Sequence, residues 1–262
     1  EEDDAYAILT RKLVEEHEVF GKGTGNESAR KNTRVNVNTE NLNETAPHFT
    51  SLETLYAMTK ELLATSQFPD INPLSKDGLL SRPSDEDLDI WYSELSLRWD
   101  AIGETFPLLF TDLTKLRRKN STSKTEFPLA YLYPRLQKTI WIPLIRILIN
   151  KVEDFGNKDA YLEALAPLTK INWDLRTVPW NPLILGRNDP TDPDAPLIIL
   201  QDEASKRDKI MRKEILYYLL DLFPFSEDDL EGVKGNCFAL ATQLETAEDR
   251  DAWWKELLSL KS

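Results

Sequence analysis

Cysteine, histidine and glycine are all scarce in this chain of 262 residues, which holds one Cys, two His and nine Gly. A single cysteine, Cys237, forbids an intramolecular disulfide, so the sequence predicts a reducing, cytoplasmic setting. Cys237 falls in an apolar helical run and reads as a small buried hydrophobe rather than a nucleophile. His17 and His48 share no metal-ligand spacing with each other, with Cys237 or with a carboxylate pair, so no zinc site is legible. His17 is expected as a solvated side chain on a charged helix face. Ser–His or Cys–His catalysis would rest on the same two histidines, and the chain has no GxSxG elbow. It also lacks GxxxxGK[ST] and GxGxxG. The run Gly21–Gly25 imitates a phosphate loop only superficially, because it does not join a strand to a helix. The sequence therefore implies no catalytic, metal or cofactor site.

Long hydrophobic runs are missing as well. The longest, Ile140–Ile149, is interrupted by Pro143 and Arg146 and is too short to span a membrane. The first twenty residues are acidic and do not resemble a signal peptide. With no initiator Met, the chain is expected to be part of a longer protein.

Acid and tryptophan are abundant. Net charge is −13, a field that repels a phosphate backbone at long range, and seven Trp offer large apolar area for a core or an interface. Apolar spacing predicts a mainly α, irregular multi-helix domain spanning 1–262, with a possible sub-boundary near 171 and an extended or hairpin segment near 171–200. A helix is expected over 4–20, then a loop at 21–34, with 35–49 too rich in Asn and Thr for a strand. A second helix is expected to start at Thr50, with a Thr50/Glu53 capping box. Residues 67–83, with Pro69, Pro73 and Pro83, read as a connector. The next helix is the clearest: Ser84 caps it, Asp85, Glu86 and Asp87 suit its positive end, and Leu88, Trp91, Leu95, Trp99, Ile102 and Phe106 form a core stripe until Pro107. Residues 115–125 read as an exposed basic loop. Helices follow at 128–154, kinked at Pro143, and at 158–170, capped by Asn157. The hairpin turn is placed at 190–196, and further helices at 203–222, 236–246 and 248–260, the last anchored by Trp253 and Trp254. The acid runs Asp85–Asp87 and Glu227–Asp229 fit helix N-terminal turns, which explains them without catalysis.

One local charge pattern opposes the overall field. Residues 111–151 carry nine basic residues against two acids, interleaved with Phe127, Tyr131, Tyr133 and Trp141. A second cluster runs from Lys206 to Lys213. If these cations share a surface, Arg117, Arg118, Lys119, Lys138, Arg187, Lys206 and Arg207 are the candidates for phosphate contacts, which give affinity without base choice. The opposing expectation is a set of solvated or salt-bridged faces, with a protein partner or a second copy as the ligand.

Three segments resemble the DGQHR-domain family, the DndB-like proteins of DNA sulfur modification. They are the opening helix with Arg34–Asn38 and the helix of 50–63; Asp89–Leu95 with the basic and helical stretch to about 151; and, most specifically, Leu168–Arg176 with Trp180, Leu185–Arg187 and the helix from 203. The resemblance implies a non-catalytic DNA-binding or regulatory domain linked to DNA phosphorothioate modification and bacterial defence. The DGQHR string itself is missing here, so the resemblance places it upstream of Glu1. Trp173 and Trp180 are also explained as packing residues, and Arg176 as a partner of nearby acids.

Overall fold

The computed structural model describes residues 4–21, 34–64, 68, 71 and 83–261. Most of the glycine run at 21–25 and most of the connector at 67–83 lie outside them. The fold is mainly α, and the chain divides into two compact units: Glu1–Thr114 with Leu132–Lys170, and Lys115–Tyr131 with Ile171–Ser262.

Unit 1 is built on helices α1 (Ala5–Glu16), α2 (Leu52–Leu63), α3 (Asp85–Thr105), α4 (Ile142–Ile149) and α5 (Lys158–Leu165). Each start has a chemical cause. The Asp4 carboxylate accepts from the Tyr6 and Ala7 amides, Ser84 Oγ from the Asp87 amide at 3.1 Å, and Asn157 Oδ1 from the Asp159 and Ala160 amides. α2 begins one residue later than the Thr50 box predicts. Thr50 is engaged in a short parallel pairing of β1 (Val35–Asn36) with β2 (Thr50–Ser51), so Ser51 is the cap and accepts from the Thr54 amide.

Pro143 acts upstream of itself. It lacks an N–H, and the chain just before it widens into a π turn, Gln137–Trp141, in which the Ile142 amide donates to the Gln137 carbonyl. The expected kink is thus a widened turn. The buried Gln137 side chain ties that turn to β2: its Oε1 accepts from Thr50 Oγ1 at 2.8 Å and its Nε2 donates to the Phe49 carbonyl.

The core stripe of α3 is real at Leu88, Leu95, Trp99, Ile102 and Phe106, which are buried, while Trp91 is half-buried. Trp99 sits edge-on to Phe20 at 4.7 Å between centroids, and Trp141 edge-on to Phe49 and Phe106, a geometry favoured by the ring quadrupole. His17 departs from expectation. It lies past the end of α1 and is buried, its Nδ1 accepting from the Val19 amide and its Nε2 donating to the Ser96 carbonyl at 3.2 Å, with Asp100 at 3.3 Å. α1 ends at Glu16, before its sequence period does, so His17 turns inward.

Unit 2 holds the expected hairpin, β3 (Leu185–Arg187) antiparallel to β4 (Leu197–Ile199). Helix α6 (Ala204–Ile210) follows and runs on through a π segment, Met211–Leu216. α7 (Glu227–Leu240) begins nine residues before the expected 236. Ser226 and Asp229 form a reciprocal capping box there, and the interior Gly232 and Gly235 are the reason that its propensity reads low. α8 (Ala247–Ser259) is anchored by the buried Trp253 and Trp254. The 115–125 loop is not simply exposed, since Leu116 and Arg117 are buried.

Candidate functional site

The structure separates the seven candidate cations. Lys138 belongs to unit 1 and the other six to unit 2. Lys138 Nζ contacts Glu40 and lies 3.9 Å from Glu53. Arg117 is fully buried and so presents no surface to a phosphate. Arg207 is buried too, donating to Asp202 Oδ2 at 2.6 Å and to the carbonyls of Asp202, Leu183 and Leu240. That carbonyl set explains why an arginine is tolerated inside: its donors end on protein acceptors. These two are structural arginines, and the exposed loop that was to carry Arg117 folds it inward.

The remaining four are nearer the surface. Arg118 pairs with Glu126 at 3.0 Å, and Lys206 with Glu203 at 3.1 Å. Arg187 donates to the Ala195 carbonyl across the hairpin, and Lys119 is half-buried. Asn120 hydrogen-bonds both backbone groups of Leu197, so the segment that carries Arg118 and Lys119 docks on the edge of β4 that faces away from β3, and β4 lies between it and Arg187. The hairpin turn supplies counter-charge through the exposed Asp189, Asp192 and Asp194. Thr191 donates to Asp189 from its hydroxyl and its amide, holding that carboxyl below its usual range. Arg187 and Arg207 also line one pocket of about 360 Å³ together with Asn188, Gln201 and Gln243.

The segment that carries the family resemblance is held by packing. Trp173 and Trp180 are buried with ring centroids 5.5 Å apart, and Trp180 Nε1 donates to the Asn172 carbonyl. Arg176 grips Asp174 through Nε and Nη2 and donates to the Ser121 carbonyl, so it closes the 121–126 loop rather than facing a ligand.

A different surface stands out in unit 1. Ile90 is 55% exposed and Phe155 42%, and with Phe68 and the half-buried Leu97 they line a groove of about 810 Å³ along α3. The acids Asp85, Glu86 and Asp89 belong to the same lining, which among the described residues includes no basic residue. Beneath it lies a buried polar knot. The Glu94 carboxylate accepts from Arg98 Nε at 2.9 Å, from the Tyr161 hydroxyl and from the Gly156 amide at 3.1 Å, while Arg98 also donates to the Leu62 carbonyl. Burial first, and then the bond to Glu94, push the Tyr161 phenol up to about 12. The groove is absent from the sequence expectations, although Ile90 and Leu97 signal it: two apolar residues seven apart, out of phase with the core stripe.

Among the described residues no group of three or more His, Cys, Asp or Glu is placed to hold a metal ion, and no helix is long and apolar enough to cross a membrane. No protein-family model, no curated protein and no solved structure matches the chain.

Proposed function

We propose that the chain is a non-catalytic interaction module whose partner is a protein. The observation that carries this reading is the fate of the cations. Arg117 and Arg207 are buried, and Arg118, Lys138 and Lys206 each lie within salt-bridge distance of a carboxylate. Under a net charge of −13, these five candidates offer a phosphate backbone little unopposed charge. Under the resemblance to DGQHR-domain proteins, the partner belongs to a DNA sulfur modification and defence system.

The DNA-binding reading has one observation in its favour, the docking of the Arg118–Asn120 segment on the outer edge of β4 in the hairpin that carries Arg187. A gel shift on duplex DNA between about 50 and 200 mM salt separates the two. Phosphate binding falls by orders of magnitude over that range, and each lost contact lowers the slope of affinity against salt by about one. The protein-partner reading expects no shift at any salt. A shift that weakens with salt, and that loses slope in an Arg118→Ala, Lys119→Ala double variant, would replace it with the DNA reading.

A further inference from the structure

We infer that the groove on α3 is the docking site for a basic, apolar-faced helical segment of a protein partner; this rests on the protein-partner reading above. Ile90 and Leu97 stand two turns apart on one face of α3, about 10.5 Å along its axis. That is the repeat with which an amphipathic helix presents residues at i, i+3, i+4 and i+7 to a groove. Phe155 and Phe68 add aromatic surface to the lining. Ile90 is 55% exposed on a face that it shares with Leu97, Glu86, Asp89 and Ser93, and an apolar side chain so placed is the kind that anchors a partner.

Charge selects the occupant. Asp85, Glu86 and Asp89 line the apolar strip, and Asp89 is paired with Lys12 at 2.7 Å. A segment with Lys or Arg flanking its apolar stripe complements that lining. A second copy of the chain placed symmetrically on this face would oppose acid to acid, which disfavours a self-complementary dimer. Anionic lipid and nucleic acid are repelled for the same reason. The groove floor is pre-organised, because the Glu94–Arg98–Tyr161 knot fixes α3 against α5 and the Gly156 amide fixes the loop that carries Phe155. Little ordering is left for the partner to impose on it.

The test uses the whole chain and three labelled designed peptides, each ~18 residues or five helical turns. One has leucines at i, i+4, i+7 and i+11 flanked by lysines; in the second glutamates replace the lysines; in the third serines replace the leucines. Fluorescence anisotropy at about 150 mM salt keeps long-range attraction screened. The expected result is saturable binding of the basic peptide alone, weakened at least about tenfold by Ile90→Ser or Phe155→Ser, and weakened also by Glu86→Lys. All three substitutions fall on exposed side chains, and a circular dichroism melt confirms that each variant is folded. Equal binding of the serine peptide, or indifference to Ile90→Ser, would reduce the effect to bulk charge and overturn the proposal. Self-association of the chain that Ile90→Ser abolishes would assign the face to a second copy and overturn it too. A duplex DNA gel shift on the same samples keeps the two ideas apart. No peptide binding and no shift removes the groove proposal alone; no peptide binding with a salt-sensitive shift removes the protein-partner reading as well.

Discussion

Arg98 has no solvent-exposed surface, and its guanidinium is spent on Glu94, the Leu62 carbonyl and the Tyr161 hydroxyl. Removing one partner of such a buried pair strands the other's charge. Arg98→Met is therefore expected to cost about 3–5 kcal/mol in urea unfolding, and Arg98→Met with Glu94→Leu clearly less than the sum of the single changes. The same knot gives a pH dependence. Tyr161 has its phenol raised from 10.0 to about 12, so the neutral form is the one favoured by folding. Its contribution is complete below pH 10 and is lost as pH rises from 10 through about 12. Alkaline denaturation of the wild type should show that loss, and Tyr161→Phe should flatten it and remove one late-titrating phenol from the tyrosinate absorbance. At this scale the sequence is least legible. Arg98 looks like any charged helix residue, and Arg117 and Arg207 look like surface cations, because burial of a charge depends on acceptors supplied from far along the chain. Leu183 and Leu240 lie on either side of Arg207 in sequence, 24 and 33 residues away.

Elements are more legible, because what starts and stops them is local. Ser84, Asn157 and Pro107 act where the sequence places them: α3 opens on Ser84 and ends at Thr105, and Pro107 begins a 3-10 turn. The hairpin with its turn near 190–196 is likewise present, with β3 at Leu185–Arg187 and β4 at Leu197–Ile199. Errors arise where a second force competes. Thr50 yields the cap to Ser51 because its backbone pairs with Val35, and that register depends on residues far from the helix. α7 reads short because Gly232 and Gly235 lower propensity, yet a capping box and the burial of Val233, Cys237 and Leu240 hold it together. Those glycines also provide a prediction. An added Cβ at Gly235 meets nothing within 4 Å, so Gly235→Ala should stabilise the chain by about 0.5–1 kcal/mol in thermal or urea unfolding. Gly186 is the opposite case. In β3 an added Cβ would collide with the Gln243 side chain and come within 2.9 Å of Leu200, so Gly186→Ala should lower stability and disturb the adjoining Arg187 pocket.

For the whole molecule, the excess of acid sets the tone. A net charge of −13 makes the compact state repel itself, and added salt relieves that repulsion. Raising NaCl from about 20 to 200 mM should raise Tm; a fall would mean that the ion pairs such as Lys138–Glu40 and Lys158–Glu104 outweigh the repulsion. Net charge was readable from composition, and so was the cationic density of 111–151. What composition cannot carry is the pairing of those cations, which the fold splits between two units. The α3 groove shows the same limit from the other side. Its acids are contiguous and obvious as a helix start, but Phe155 joins them only through the tertiary fold.

The one cysteine of the chain lies at zero exposure in α7, and its thiol is pushed up to about 12, first by burial and then by the nearby Glu214. A thiol in that state is inert until its helix lifts away, since thiolate is the reactive species. Under native conditions the rate at which an aromatic disulfide reagent consumes it therefore times the openings of that corner of unit 2. The chain carries its own chemical stopwatch, with no second sulfhydryl to blur the reading.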